Sequence, residues 1–162
     1  METVSEKRAF RCMMSGMSTL ELIVVVGIIV TLSAIAIPIS AQWKGNMACR
    51  NAARGVFNAL RESRCRAIAT SLEHRVEFDQ VNNRYRIVKG NKGIGSTSWD
   101  AIVCDWVPLP ADVDLVTNVD AIHHNSLGSS NAGTIGIRAI ASMKTYSVVV
   151  ASTGRIRIPS IF

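Results

Sequence analysis

The fold is decided by an apolar run near the N-terminus, Leu22–Ile37, which reads LIVVVGIIVTLSAIAI and is followed by Pro38. No charged residue occurs from Leu22 through Trp43. As a helix this uncharged stretch would reach about 33 Å, close to the thickness of the hydrocarbon core of a bilayer. Its residues are apolar around the whole circumference of a helix rather than along one face. The stretch therefore predicts a membrane-spanning helix.

Two other interpretations of this segment stay open. A helix of this composition can be buried inside a soluble core. The triplet Ile39-Ser40-Ala41 resembles the small-residue cleavage site of a signal peptidase, and cleavage after Ala41 would release a soluble domain that begins at Gln42. The flanking charges do not settle the orientation, since basic residues lie close to both ends of the run (Lys7, Arg8 and Arg11, then Lys44, Arg50 and Arg54).

The residues around the run carry a family resemblance. Gly16 through Pro38, GMSTLELIVVVGIIVTLSAIAIP, resembles the N-terminal cleavage and methylation segment of type IV pilins and type II secretion pseudopilins. The resemblance implies that residues 1–16 are a leader, that prepilin peptidase cuts after Gly16, and that Met17 becomes a methylated N-terminus. Met17 stands where the family more often has Phe. Glu21 and Pro38 fall in register with a glutamate and a helix-kinking proline of the family.

The resemblance gives Glu21 a role in assembly. An ionised carboxylate at the bilayer centre costs about 2.5 to 3.5 kcal/mol, so it requires a partner. The new ammonium of Met17 in one subunit would pair with Glu21 of the subunit ahead and offset that cost. Pro38 would bend or locally unwind the helix, with a simple helix end at Ile37 as the alternative. The implied partners are other pilins or pseudopilins, prepilin peptidase, the inner-membrane assembly platform and inner-membrane lipid, with the C-terminal domain in the periplasm.

The pattern from Lys44 to Leu72 predicts an amphipathic second half of the helix. Apolar residues recur at helical spacing on one stripe (Cys49, Ala52, Ala53, Val56, Phe57, Leu60, Ala67 and Ile68). The other face is strongly basic, with six cations against Glu62 alone (Lys44, Arg50, Arg54, Arg61, Arg64 and Arg66). Such a face can bind anions, and a solvated face near acidic neighbours has the same pattern. Acidic neighbours are present in the segment 99–120, within the subunit or in the next one (Asp100, Asp105, Asp112, Asp114 and Asp120).

The rest of the chain predicts a small antiparallel β domain. The alternating stretches HRVEFD (74–79) and RYRIV (84–88) flank a polar connector, 80–83, and indicate a hairpin whose apolar face packs on the helix (Val76, Phe78, Tyr85 and Ile87). Further strands are predicted at 99–106, 113–116, 134–140, 145–152 and 155–162. The Gly-rich stretch 89–98 is expected to be a flexible loop. The predicted fold is α+β and pilin-like: a long N-terminal α-helix, transmembrane over 17–43 and amphipathic over 44–72, packed on a β-rich domain over 73–162.

The C-terminal residues Gly154-Arg155-Ile156-Arg157 are similar to the GRxR motif of the GspH/FimT subfamily of minor pseudopilins and minor pilins. In FimT-like members this motif contributes to the binding of extracellular DNA for uptake. Arg155 and Arg157 would contact phosphates of double-stranded DNA, joined by Arg138, Lys144 or the helix arginines, in a sequence-tolerant and salt-sensitive manner. The alternative is that the two arginines protect an edge strand from pairing.

The length, composition and motifs of the chain exclude several other classes of function. A chain of 162 residues with a net charge of +6 is one ordinary domain plus its termini, which excludes a multidomain enzyme. No nucleophile elbow, zinc-spaced motif or protease cysteine context is found, so we predict neither an enzyme nor a bound cofactor or metal. His123 and His124 are expected in a solvated loop. Cys49 and Cys65 are too far apart on one helix to bridge, so an intrachain disulfide would involve Cys104, with Cys65–Cys104 as the candidate pair and reduced thiols as the alternative.

Three functions follow from these patterns. The first is a subunit of a type II secretion pseudopilus or type IV pilus. The second is a type IV minor pilin that binds DNA for uptake. The third, from another class, is a membrane-tethered or secreted binding domain that does not polymerise.

Overall fold

The computed structural model describes residues 18–99 and 101–159, and the side chains of residues 35–42 lie outside that description. The described residues form one helix and eight strands: α1 (Thr19–Thr70), β1 (His74–Asp79), β2 (Arg84–Lys89), β3 (Ala101–Pro108), β4 (Val113–Thr117), β5 (Ala121–His124), β6 (Gly133–Ala139), β7 (Thr145–Val150) and β8 (Ile156–Arg157). The chain divides into two compact units, Met1–Pro38 and Ile39–Phe162.

The first unit contains the N-terminal part of α1. The helix runs through Pro38 to Thr70, so the alternative of a helix end at Ile37 is wrong. The bend at Pro38 stays a prediction. Among the described residues, no helix combines the length and the apolarity needed to cross a membrane. The predicted span from Leu22 to Trp43 includes residues 35–42, and the predicted leader with Met17 lies wholly outside the described residues.

The second unit is built on two antiparallel sheets that share one core with α1. The strand order is β3-β2-β1-β5 in sheet A and β4-β6-β7-β8 in sheet B. The helix contributes mainly small side chains to the core, whereas the strands contribute β-branched ones (Cys49, Ala52, Ala53, Val56, Ala59 and Leu60; Val76, Ile87, Ile122, Ile135, Ile137, Val148 and Val150). Small residues on the helix allow its backbone to approach the sheets closely, and branched residues fill the pleated surfaces. The α+β prediction is confirmed.

The predicted hairpin is confirmed in its register. Strand β1 pairs with β2 so that Val76 lies opposite Ile87 and Phe78 opposite Tyr85, and all four side chains are buried. The connector is a turn in which Asn83 has a φ of 47°. The carboxylate of Asp79 accepts hydrogen bonds from the Asn82 side chain and from Arg84, which lower its pKa to about 2.

Strand boundaries differ from the prediction by one or two residues in total at β2, β4, β6 and β7, and by more at β3 and β8. Strand β3 begins at Ala101 rather than Trp99 and extends to Pro108, which lies opposite Arg84. Strand β8 is limited to Ile156 and Arg157. Pro159 follows closely and has no N–H to donate to a ladder, and the last predicted strand residues, 160–162, lie outside the described residues.

Candidate assembly and anion-binding surfaces

The N-terminal part of α1 presents apolar side chains on all sides. Every residue from Thr19 to Ala34 is exposed, and this stretch carries ten large apolar side chains that are at least 40% exposed (Leu20, Leu22, Ile23, Val24, Val25, Val26, Ile28, Ile29, Val30 and Leu32). Its polar side chains are partly satisfied within the helix, since the hydroxyls of Thr31 and Ser33 donate to the carbonyls of Ile28 and Ile29. A surface of this kind requires cover by lipid or by other protein.

Glu21 lies in the first turn of α1, where a carboxylate interacts favourably with the N–H groups of the helix start. It is exposed and, among the described residues, has no cationic partner. The predicted partner, the ammonium of Met17, lies outside those residues. The geometry leaves Glu21 accessible to a group from another chain.

The basic face of α1 is confirmed for its second half, and its members fall into two groups. Arg64 and Arg66 are engaged within the chain: Arg64 Nε donates to the carbonyl of Gly128 at 2.9 Å, and Arg66 pairs with Glu62. The exposed residues Lys44, Arg50, Arg54 and Arg61 have no acidic partner among the described residues. The second group is available to an external anion.

The GRxR motif occupies a turn and the start of β8. Gly154 is buried, has a φ of +77°, and packs so closely on the Gly128 carbonyl that an added Cβ would collide with it. Its role is therefore to let the turn rest on the Gly128 loop that Arg64 holds. Ile156 points inward opposite Val150, whereas Arg155 and Arg157 are exposed and unpaired among the described residues.

A groove of about 480 Å³ separates this motif from the helix. It is lined by apolar and basic side chains of α1 and by the central Ile of the motif (Phe57, Arg61, Arg64, Cys65, Ile68 and Ile156). Ile68, which the helical pattern placed at the margin of the core, is half exposed and contacts Gly128. The groove thus brings Arg61 close to Ile156 of the GRxR motif.

Arg138 and Lys144 do not share this location. Arg138 lies on β6, where its guanidinium pairs with Asp114 of β4 at 3.1 Å. Lys144 precedes β7 and is exposed, about 17 Å along the strand from Val149, which lies opposite Arg157. Arg138 is therefore engaged by a carboxylate within the chain, and Lys144 is remote from Arg157.

The expected solvated loop at His123 and His124 is wrong. Both residues belong to β5, which the sequence pattern missed, and β5 pairs with β1. His124 is fully buried: its Nδ1 lies 3.3 Å from Ser63 Oγ, and its Nε2 has no hydrogen-bond partner among the described residues. Burial lowers the pKa of His124 to about 4, and the nearby Arg64 adds to the effect. His123 faces the other side, edge-on to Trp99.

The three cysteines among the described residues, Cys49, Cys65 and Cys104, are free thiols, so the structure does not contain the candidate Cys65–Cys104 disulfide. Cys49 is buried and its Sγ donates to the carbonyl of Ile137 at 3.0 Å. Burial raises the pKa of the Cys49 thiol. Cys65 is exposed on α1. Within the described part of the chain, no cluster of three or more His, Cys, Asp or Glu could hold a metal ion.

The Gly-rich loop has no regular secondary structure, as predicted, but a buried carboxylate holds it. Gly95 N and Ser96 N both donate to the carboxylate of Glu73. Burial raises the pKa of Glu73, but the hydrogen bonds from Ser96 and Gly95 outweigh it, so the pKa lies below its ordinary value. No local pattern indicates this contact, because Glu73 and Gly95 are 22 residues apart in the sequence.

Comparisons with known proteins identify the fold. No protein-family model matches the chain, and no curated protein matches it. The structure is similar to the minor pseudopilin EpsH from the type 2 secretion system of Vibrio cholerae, with a TM-score of 0.56 and 15% identity over 68% of this chain and 94% of that one. It is also similar to the type IV minor pilin FimU of Pseudomonas aeruginosa, with a TM-score of 0.58 and 14% identity over 73% of this chain and 92% of that one. The chain therefore has the fold of the minor pseudopilins and type IV minor pilins.

Proposed function

We propose that the protein is a minor subunit of a type II secretion pseudopilus or a type IV pilus. The observation that carries this proposal is the division of α1: its first part exposes apolar side chains on all sides, and its second part is the spine of a pilin-like domain. A filament core of packed helices would cover the first part, and the membrane would cover it before assembly. In this proposal residues 17–43 anchor the precursor in the inner membrane, and the assembly platform extracts it into the filament.

Processing is the first step of this function. Prepilin peptidase removes residues 1–16 by cutting after Gly16, and Met17 becomes the methylated N-terminus. The ammonium of Met17 then pairs with Glu21 of the neighbouring subunit; this is supported by the Glu21 carboxylate, which is exposed and has no cationic partner among the described residues.

Two measurements test the proposal. The intact mass and N-terminal sequence of the protein from its native membrane should show a methylated Met17, whereas a start at Gln42 would mean ordinary secretion. Glu21→Ala should then abolish incorporation into filaments while membrane insertion persists. Glu62→Ala, which removes an exposed carboxylate elsewhere on α1, is the matched control and should assemble normally. Normal assembly of Glu21→Ala would favour a membrane-tethered domain that does not polymerise.

DNA binding is the second candidate function. It is favoured by Arg155 and Arg157, which are exposed and have no acidic partner among the described residues, and by Arg61, which lines the groove together with Ile156 of the same motif. Their guanidinium groups can donate to phosphate oxygens of a duplex. The double variant Arg155→Ala with Arg157→Ala should weaken binding to DNA of any sequence and reduce its salt dependence. Arg138→Ala is the matched control, because that guanidinium is engaged by Asp114, and equal affinity of all three proteins would remove the motif from this role.

A further inference from the structure

One side of α1 carries a regular pattern of side chains that are mostly exposed, although Phe57 is half buried against the core and Arg64 is half buried. From Trp43 to Ile68 the helix positions recur at alternating steps of four and three residues (Trp43, Met47, Arg50, Arg54, Phe57, Arg61, Arg64 and Ile68). This alternation places all eight side chains within about 100° of the helix circumference. We call this line of residues the arginine seam.

The arginine seam has two kinds of side chain in one line. Trp43, Met47 and Ile68 are 64%, 41% and 50% exposed. Between them lie the exposed Arg50, Arg54 and Arg61, which have no acidic partner among the described residues. The seam extends over about 38 Å at roughly 1.5 Å per residue. Apolar side chains and unpaired cations on one continuous line indicate a surface that another molecule covers.

Alternating steps of four and three residues are the spacing with which one helix packs along another. We propose that the arginine seam docks an amphipathic helix of a different protein, one that carries Asp or Glu opposite the arginines and apolar residues opposite Trp43, Met47, Phe57 and Ile68. This inference rests on the proposed function, in which that protein is a neighbouring subunit of the filament.

Other occupants fit the seam less well. A second copy of this chain in the same register would oppose arginine to arginine. A membrane surface binds helices whose basic and apolar residues lie on different faces, whereas here the arginines lie within the apolar line. A nucleic acid offers phosphates but no apolar surface for Trp43 or Ile68. The acidic helix satisfies both kinds of side chain, and it makes the contact heterotypic.

The test is site-specific photocrosslinking of the full-length protein in its native envelope. Benzoylphenylalanine replaces Phe57 in the seam, and in a control protein it replaces the neighbouring Asn58, which is exposed outside the seam. We expect the Phe57 probe to capture one protein other than this chain, through a helical peptide with Asp or Glu at spacings of three or four. Capture of a second copy, of lipid, of nucleic acid or of a peptide without acidic residues would overturn the proposal, as would equal capture from Asn58.

Charge reversal tests the pairing itself. The triple variant Arg50→Glu, Arg54→Glu, Arg61→Glu should lower the crosslink yield by roughly tenfold or more, because three attractions become repulsions. Reversal of the captured acidic residues to Lys should restore it. The matched control changes three exposed lysines outside the seam to Glu (Lys44, Lys92 and Lys144), alters the net charge equally, and should leave the yield unchanged. If the seam variant does not accumulate, the Arg→Gln triple replaces it, and an unchanged yield in that variant would refute the pairing.

The same preparation separates this inference from the proposed function. A Met17 N-terminus with a homotypic crosslink would overturn the docking proposal and leave the subunit assignment in place. A crosslink to an acidic helix in a protein that starts at Gln42 would support the docking proposal and overturn the subunit assignment.

Discussion

The buried imidazole of His124 predicts that acid destabilises the domain from residue 39 onward. His124 is fully buried next to Ser63, and its neighbours His74, His123 and Arg64 offer it no negative charge. An unfolded chain binds the imidazole proton below about pH 6.5, whereas burial lowers the pKa of His124 to about 4 in the folded chain. Between these values the unfolded state binds more protons, so the free energy of unfolding falls as the pH falls.

The size of the effect follows from the two pKa values. A difference of about 2.5 units corresponds to about 3 kcal/mol once the pH is below both values, and about 2 kcal/mol of this is lost between pH 7.5 and pH 5.0. Burial also lowers the pKa values of His74 and His123, and both act in the same direction. The pKa values of Glu73 and Asp79 are also lowered, but these carboxylates titrate at more acidic pH.

The assay is urea unfolding of the domain at pH 7.5 and at pH 5.0, followed by tryptophan fluorescence. The variant His124→Leu cannot titrate and should lose most of the pH dependence, so that at pH 5.0 it is the more stable protein of the two. His123→Gln keeps the buried imidazole of His124 and should retain most of the dependence. A wild-type pH dependence in His124→Leu would refute the reasoning, as would an imidazole pKa above 6 for His124 in an NMR titration.

Three further predictions concern the stability of the same domain. Gly154→Ala should cost about 2 to 3 kcal/mol in thermal or urea unfolding, because the new Cβ meets the Gly128 carbonyl at a positive φ, and an unchanged stability would contradict the observed packing. Glu73→Gln should cost about 1.5 to 3 kcal/mol and speed hydrogen exchange at Ser96, because its hydrogen bonds lose their charge; unchanged exchange would show that the loop is held otherwise. Leu60→Ala should cost about 3 to 5 kcal/mol by opening a cavity under both sheets, and a cost below 1 kcal/mol would place Leu60 outside the core.

The sequence predicted those elements in which apolar residues recur with the same spacing as the buried positions. The stripe from Cys49 to Ala67 and the alternation of β1 and β2 are direct consequences of one buried face, so the helix and hairpin were predicted almost to the residue. Strand β5 was not predicted because one of its two buried side chains is an imidazole, and hydropathy does not mark His124 as a core residue as it does Ile122. Its burial depends on Ser63, which is distant in sequence, and on its place beside β1.

The residues of the candidate surfaces could be predicted from the sequence, but the contacts among them could not. The basic face of α1 and the GRxR motif are visible in the sequence, whereas the contact of Gly154 with Gly128 and the engagement of Arg64 depend on three segments meeting. The partner of Arg138, a residue predicted from the sequence to bind phosphate, also depends on the fold. Its pairing with Asp114 follows from the register of β4 against β6, which no local pattern specifies.

The edges of the two sheets indicate how this domain can and cannot join other molecules. On β4, Asn83 Oδ1 accepts from Leu115 N, and the Gln80 side chain bonds both the N–H and the carbonyl of Thr117. On β5, Asn131 accepts from His123 N and donates to the carbonyl of Ala121.

The other two edges are closed by different means. Strand β3 carries two irregularities in its pairing with β2, and β8 ends after Arg157 with Pro159 close behind. Bulges, short edges, charged residues and proline all oppose the addition of a further strand. Since the described edges are protected in these ways, strand pairing is a poor route to assembly for this domain.

Helix α1 carries the surfaces that still need a partner. Its first part exposes apolar side chains, and its second part exposes arginines that have no acidic partner among the described residues. The exposed apolar side chains of the first unit and the arginine seam of the second are therefore the two surfaces on which tests of assembly should concentrate.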